Sequence, residues 1–129
     1  MFKNFICEKI EGDGATLFVR RAGPRNAPSI VLLHGYPQTS AMWNGVAPIL
    51  ARSYQVVCPD LRGYGQSDKP ESDLLHKPYS KRAMANYIIA VMRRLGHKRF
   101  VVGANDRGAR VAHRMGLDHP NCVAAMTLL

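Results

Sequence analysis

Two rhythms of apolar positions take turns along the chain. Residues 29–33 are a continuous run, Ser-Ile-Val-Leu-Leu, bounded by Pro28 and Gly35. Such a run suits a strand buried on both faces, as in a parallel sheet. Residues 54–58 and 100–103 read as strands too, and residues 122–129 read as another buried one. Ahead of them, residues 5–10 and 16–21 read as two strands joined by Glu11-Gly12-Asp13-Gly14, a turn signal. Helical spacing fills the intervals. Trp43, Val46, Ala47 and Leu50 recur at i, i+3, i+4 and i+7 behind a cap at Thr39 or Ser40, with Trp43 read as core packing. Met84, Tyr87, Ile88, Val91 and Leu95 keep the same period behind Ser80, and Gly96 suits the position just past the helix end. A third helix, residues 107–119, stops where Pro120 cannot continue it. Residues 22–28 and 69–78 read as loops. Alternating strands and helices predict an α/β fold with a mostly parallel sheet.

The junction at residues 101–110 is the most distinctive. Val101-Val102 runs into Gly103-Ala104-Asn105-Asp106-Arg107-Gly108, so small residues stand two positions to either side of Asp106. That spacing predicts a sharp, crowded strand-to-helix turn with Asp106 at its tip, where such elbows usually carry Ser. A helix N-terminus favours negative charge, and Arg107 and Arg110 add positive charge nearby. An ionised carboxylate held there can attack carbon without a base to activate it. The plain alternative is that Asp106 only caps the helix. Two further loops follow strands. His34-Gly35-Tyr36-Pro37-Gln38 stands at the carboxyl end of a buried strand, where open α/β sheets bind ligands. Asp60-Leu61-Arg62-Gly63-Tyr64-Gly65-Gln66-Ser67 has two glycines but no Gly-Lys-Ser/Thr, so it is not a phosphate loop and reads as a structural turn, with lining of the site as the lesser alternative.

Composition narrows the classes. The 129 residues suffice for one modest core. No apolar run approaches membrane-spanning length and no signal-peptide block opens the chain, so a cytoplasmic, membrane-free protein is expected. Three widely spaced cysteines without a CxxC pair read as reduced thiols. The net charge of +9 would suit an anionic partner, yet no zinc-finger spacing, RNA-binding aromatic motif or basic heptad helix accompanies it, so nucleic acid is not expected.

The order of these elements is that of the α/β-hydrolase fold. The three motifs together, His34-Gly35-Tyr36-Pro37-Gln38, residues 60–67 and Asn105-Asp106-Arg107-Gly108-Ala109-Arg110, resemble the haloacetate dehalogenases, fluoroacetate dehalogenases among them. The elbow there usually reads His-Asp-Arg-Gly-Gly-Arg or similar; Asn105 replaces the frequent His, and Tyr36 stands where Phe is common. The resemblance implies Asp106 as nucleophile, Arg107 and Arg110 as the fork that holds a 2-haloacid carboxylate, and His34, Gly35 and Tyr36 as the oxyanion loop and pocket. Haloalkane dehalogenases and epoxide hydrolases commonly have Trp where Arg107 stands. The implied reaction proceeds through an ester on Asp106 that water then hydrolyses, with no metal or organic cofactor.

The same resemblance places the catalytic acid, the catalytic His and the cap beyond Leu129, so the chain reads as the N-terminal portion of a single α/β-hydrolase domain, inactive alone. The competing readings are an epoxide hydrolase-like or other α/β-hydrolase, and a non-catalytic binding module that reuses the half-fold. The expected partners are a small anionic haloacid and water, with a possible homodimer through the last strand, whose apolar edge invites pairing.

Overall fold

The computed structural model of the chain describes residues 2, 4–69 and 79–129. Among them, six strands form one mixed sheet in the order β1-β2-β4-β3-β5-β6. β1 (Ile6–Gly12) and β2 (Ala15–Ala22) are an antiparallel hairpin. Asp13 and Gly14 both take positive φ, 53° and 81°, the twist that a two-residue hairpin turn needs. β2 pairs antiparallel with β4 (Gln55–Pro59). From β4 onward the sheet is parallel: β3 (Ser29–Leu33) lies between β4 and β5 (Phe100–Ala104), and β6 (Val123–Leu128) pairs with β5. The α/β-hydrolase expectation is met, with the loop expected at residues 69–78 lying, from residue 70, outside the described residues.

The strand β3 sorts its side chains by parity. Val31 and Leu33 join a core with Val57, Val102, Ile88, Met92 and Met115, on the face covered by α2 (Lys81–Arg94) and α3 (Arg107–Asp118). Ile30 and Leu32 join Val56, Cys58, Ala47 and Trp43 on the other face, under α1 (Ala47–Leu50). All five β3 residues are buried, which explains the unbroken apolar run. Trp43 packs in the core as expected. Burial pushes the Cys58 thiol up to about 12, so it stays protonated. The α2 helix opens on the Ser80 hydroxyl, which accepts from Ala83 N–H at 3.1 Å, and closes at Gly96, φ 88°.

Two expectations need correction. The single helical face through residues 43–50 is instead a 3-10 helix, Ser40–Gly45, followed by the short α1. Val46, expected on the buried face, is 45% exposed. Pro48 accounts for the break, because in a continuous helix its ring would meet the Asn44 carbonyl and its missing N–H would leave that carbonyl unpaired. The last strand is not buried: Ala124, Ala125, Thr127 and Leu128 are exposed, and only Val123 and Met126 pack inward. Its ladder to β5 carries an irregularity, Phe100 facing Val123 and Val101 facing Ala125, which removes the two-residue alternation.

β6 stands at the sheet edge among the described residues, with one unpaired ladder and exposed Leu128. Open edges of this kind pair with one another. The 129-residue polypeptide should therefore sediment as a dimer or larger species, and Ala125→Lys should shift it toward monomer. A native sample that is monomeric at tens of micromolar, on the order of ordinary working concentrations, would remove the edge from consideration.

Candidate active site

Three loops converge at the carboxyl ends of the parallel strands. The chain leaves β3 toward β4 on one side and returns to β5 on the other, so β3 marks the crevice where open α/β sheets bind ligands. The loop after β5 turns at Asp106, whose backbone lies at φ 53°, ψ −117°. A non-glycine residue held there stores strain on the order of 1–3 kcal/mol. Asp106 occupies the N-cap position of α3, but its side chain does not cap the helix in the usual way. Instead Asp106 Oδ2 accepts the Tyr36 backbone N–H at 3.0 Å.

That bond sets the electrostatics. The Tyr36 N–H and then the Arg107 N–H hold the Asp106 carboxyl below its ordinary range; lost solvation opposes them less strongly, and the Arg110 and Arg107 charges add the smallest lowering effects. The carboxylate is exposed and ionised at neutral pH.

The loops can approach this closely because of two glycines. A Cβ on Gly35 would lie 2.5 Å from the Asp106 Cβ and 3.0 Å from Oδ2. A Cβ on Gly108 would run into the His34 and Leu33 carbonyl oxygens. These contacts supply the physical reason for small residues around the tip.

His34 lies beneath the site rather than on its surface. It is fully buried, and its Nε2 accepts the Leu61 N–H at 2.8 Å. The other nitrogen therefore carries the proton and donates to the Gly35 carbonyl at 3.0 Å. Burial lowers the pKa of this ring, opposed by the Gly35 carbonyl and the Asp60 charge. His34 thus ties the β3 loop to the β4 loop as a neutral bracket. Asp60, also buried, accepts Ser40 N–H at 2.8 Å and Gln66 N–H at 2.9 Å, and its backbone carbonyl accepts from Ser67. The loop at residues 60–67 is structural, as read from the sequence, except at Tyr64.

Several site contacts were not assigned from the sequence. Gln38 Oε1 accepts from both Gly35 N–H and Asn105 Nδ2, at 3.2 and 3.3 Å, so Asn105 steadies the loop after β3. The Tyr64 hydroxyl accepts from Arg107 at 3.2 Å, and its ring meets His34 and Tyr36 edge-on. Arg107 lies over the Tyr36 ring at 4.5 Å. Neither Arg107 nor Arg110 forms an ion pair with an acidic side chain among the described residues, so the surface ion-pair alternative does not describe them. Arg110 lines a cleft of about 490 Å³ together with Lys81, His113 and Leu128. No histidine among the described residues hydrogen-bonds Asp106.

Comparison with known proteins agrees with this geometry. Residues 28–129 match the family model for the alpha/beta hydrolase fold. The chain belongs to that family. It is 51% identical over all 129 residues to a fluoroacetate dehalogenase from Burkholderia sp, of which it covers 42%. It is 36% identical over 100 residues, 78% of its own length, to a soluble epoxide hydrolase from Corynebacterium sp. (strain C12), of which it covers 33%. The crystal structure of ALR0039 from Nostoc sp PCC 7120 superposes with a TM-score of 0.96 at 47% identity, over 99% of this chain and 43% of that one. The chain thus spans less than half the length of these relatives. No helix among its described residues is long and apolar enough to cross a membrane.

Two predictions follow from the brackets beneath the site. Gly35→Ala should push the oxyanion loop off Asp106, destabilising the chain by about 1–3 kcal/mol as other overpacked substitutions do. A denaturation midpoint equal to the native one would show that the loop yields freely. The second concerns pH. His34 is neutral when folded, with a pKa below the unfolded value of about 6.5, so the unfolded chain binds more protons once the pH falls below that value. Stability is then complete above about pH 6.5 and declines on acidification, with a slope of at most about 1.4 kcal/mol per pH unit from this group. His97, whose pKa is lowered by burial and by Arg21, acts in the same direction. Urea midpoints should fall from pH 7 to pH 5 and fall less in His34→Gln; a flat native profile would contradict the neutral-bracket assignment.

Proposed function

We propose that the chain carries the nucleophile and anion-binding side of a hydrolase that removes halide from haloacetate-type 2-haloacids. One observation carries the reading: Asp106 sits at a left-handed elbow with Oδ2 held by a backbone N–H, beside two arginines that lack acidic partners among the described residues. The 51% identity to a fluoroacetate dehalogenase supports it.

With Oδ2 held, Oδ1 is the attacking oxygen. It forms a bond to the substrate α-carbon while the carbon–halogen bond breaks and the halide leaves with the electron pair. Arg107 and Arg110, three residues apart at the start of α3, share a helix face and present donor forks to the substrate carboxylate. The product is an ester between Asp106 and the acid. Water then adds to the Asp106 carbonyl carbon, the former Oδ2 takes the negative charge, and the Tyr36 and Arg107 N–H groups stabilise it. Collapse of that intermediate releases the hydroxy acid and restores the carboxylate. The water needs a base, and the family resemblance assigns that role to a histidine that none of the described residues supplies.

Epoxide hydrolysis is the second reading, motivated by the relatives of that name and by the same kind of nucleophile. The two differ in substrate charge: the arginines favour an anion, and an epoxide has no carboxylate to offer them.

Bromoacetate tests the first step on the chain itself. With Cys7 and Cys122 changed to Ser and Cys58 to Ala, bromoacetate should add one carboxymethyl group, mapped to Asp106 by peptide mass. The adduct should persist, because no histidine among the described residues stands at Asp106 to activate water. Asp106→Asn should abolish labelling, and Arg110→Leu should slow it by about 10- to 100-fold, the worth of one charge-assisted hydrogen bond. Labelling that spares Asp106 in a folded sample would sink the nucleophile assignment. Equal rates with bromoacetate and bromoacetamide would sink the carboxylate fork and favour a neutral substrate.

A further inference from the structure

Lys81 is the one cation at the start of α2 whose placement nothing else explains. The first turn of that helix contains Lys81 and Arg82 and no acid, against the preference of a helix N-terminus for negative charge. Arg82 is accounted for by its ion pair with Asp118, 3.0 Å away. Lys81 has no ion pair among the described residues. It lines the 490 Å³ cleft together with Arg110, His113 and Arg114, and also a second cleft of about 200 Å³ together with Arg107, Tyr64 and Tyr79. Lys81 is therefore common to the clefts of both arginines.

The three cations feel one another. Partial burial first, and then the Arg107 and Arg110 charges, hold the Lys81 ammonium below the ordinary lysine range, while Asp106 pulls the other way. Three positive groups and one carboxylate leave an excess of two positive charges. A partly buried, crowded ammonium with no ion-pair partner among the described residues is unfavourable and is relieved when an anion enters.

We infer that Lys81 is the third member of the anion site, drawing the haloacid carboxylate into the cleft and handing it to Arg107 and Arg110. The inference rests on the dehalogenase reading for its substrate class. Lys81 acts on specificity and capture rather than on the bond that breaks. A point charge on a flexible stem suits capture from solution, while the planar guanidinium forks suit a fixed final pose. The effect of Lys81 should therefore depend on substrate charge and on salt.

The experiment compares Lys81→Met, Lys81→Arg and native lysine in the cysteine-free chain, using bromoacetate and the neutral bromoacetamide. The readout is the ratio of the two rate constants for Asp106 labelling. Lys81→Met should lower that ratio by about three- to tenfold at low salt and flatten its decline as salt rises, and Lys81→Arg should restore both. An unchanged ratio in Lys81→Met, or no rescue by arginine, overturns the inference even though Asp106 is labelled. Should neither reagent label Asp106 in any variant, the nucleophile reading fails instead. Lys81 is then decided by titrating acetate while following its side-chain methylene resonances by NMR. A saturable shift with acetate that acetamide does not produce supports the third cation; the same response to both, or none, overturns it.

Discussion

The short reach from Tyr36 N–H to Asp106 Oδ2 is the constraint on which the rest of the site depends. It joins the ends of two strands that neighbour each other in the sheet but lie 70 residues apart in sequence. For the bond to form, the β3 loop must pass within van der Waals range of the elbow, and only glycine at position 35 leaves room. The elbow must also hold Asp106 at positive φ, an unfavourable geometry for a side-chain-bearing residue. Local strain on the order of 1–3 kcal/mol is tolerable only where surrounding packing fixes both loops.

That packing lies directly below. His34 and Asp60 are buried polar groups whose hydrogen bonds run to backbone amides and carbonyls, not to substrate-facing atoms. Buried groups satisfied in this way rigidify the loops they join. Gln38 and Asn105 complete the support from the open side. The site is thus layered: apolar β3 and β5 at the base, the buried His34 and Asp60 brackets above them, and Asp106, Arg107 and Arg110 exposed at the mouth.

Much of this was legible in the sequence because it rests on local chemistry. The buried parallel strands announced themselves as unbroken apolar runs, and the elbow as small residues two positions either side of Asp106. What was missed depended on distance or context. Val46 kept perfect helical spacing, yet Pro48 two residues on stopped the helix that would have buried it. Residues 122–129 read as buried because their composition is apolar, but burial depends on what lies on both sides of a strand, and the neighbour list of β6 is not written in its own residues. His34 looked like a site residue because it opens the motif; its direction was set by the Leu61 N–H, 27 positions away. Tyr64 stood inside a motif read as a structural turn, and Lys81 gave no motif signal at all. The available hint for Lys81 was a basic residue placed immediately after a helix cap, where acids are preferred.

The distribution of charge has a further consequence for chemistry. In the proposed reaction an Asp nucleophile must remain ionised, yet the carboxylate of a haloacid repels it, and the two must come together for the carbon to be reached. The backbone N–H groups of Tyr36 and Arg107 answer the first requirement by stabilising the Asp106 charge locally. In that proposal the Arg107 and Arg110 side chains answer the second by stabilising the incoming charge. Keeping these tasks on separate groups matters. A guanidinium bonded directly to Asp106 would neutralise and occlude the attacking oxygen, whereas Arg107 rests on the Tyr36 ring and the Tyr64 hydroxyl instead. The aromatic pair therefore parks a cation beside the nucleophile without letting it close on it. On the proposed reading this arrangement favours an anionic electrophile over a neutral one.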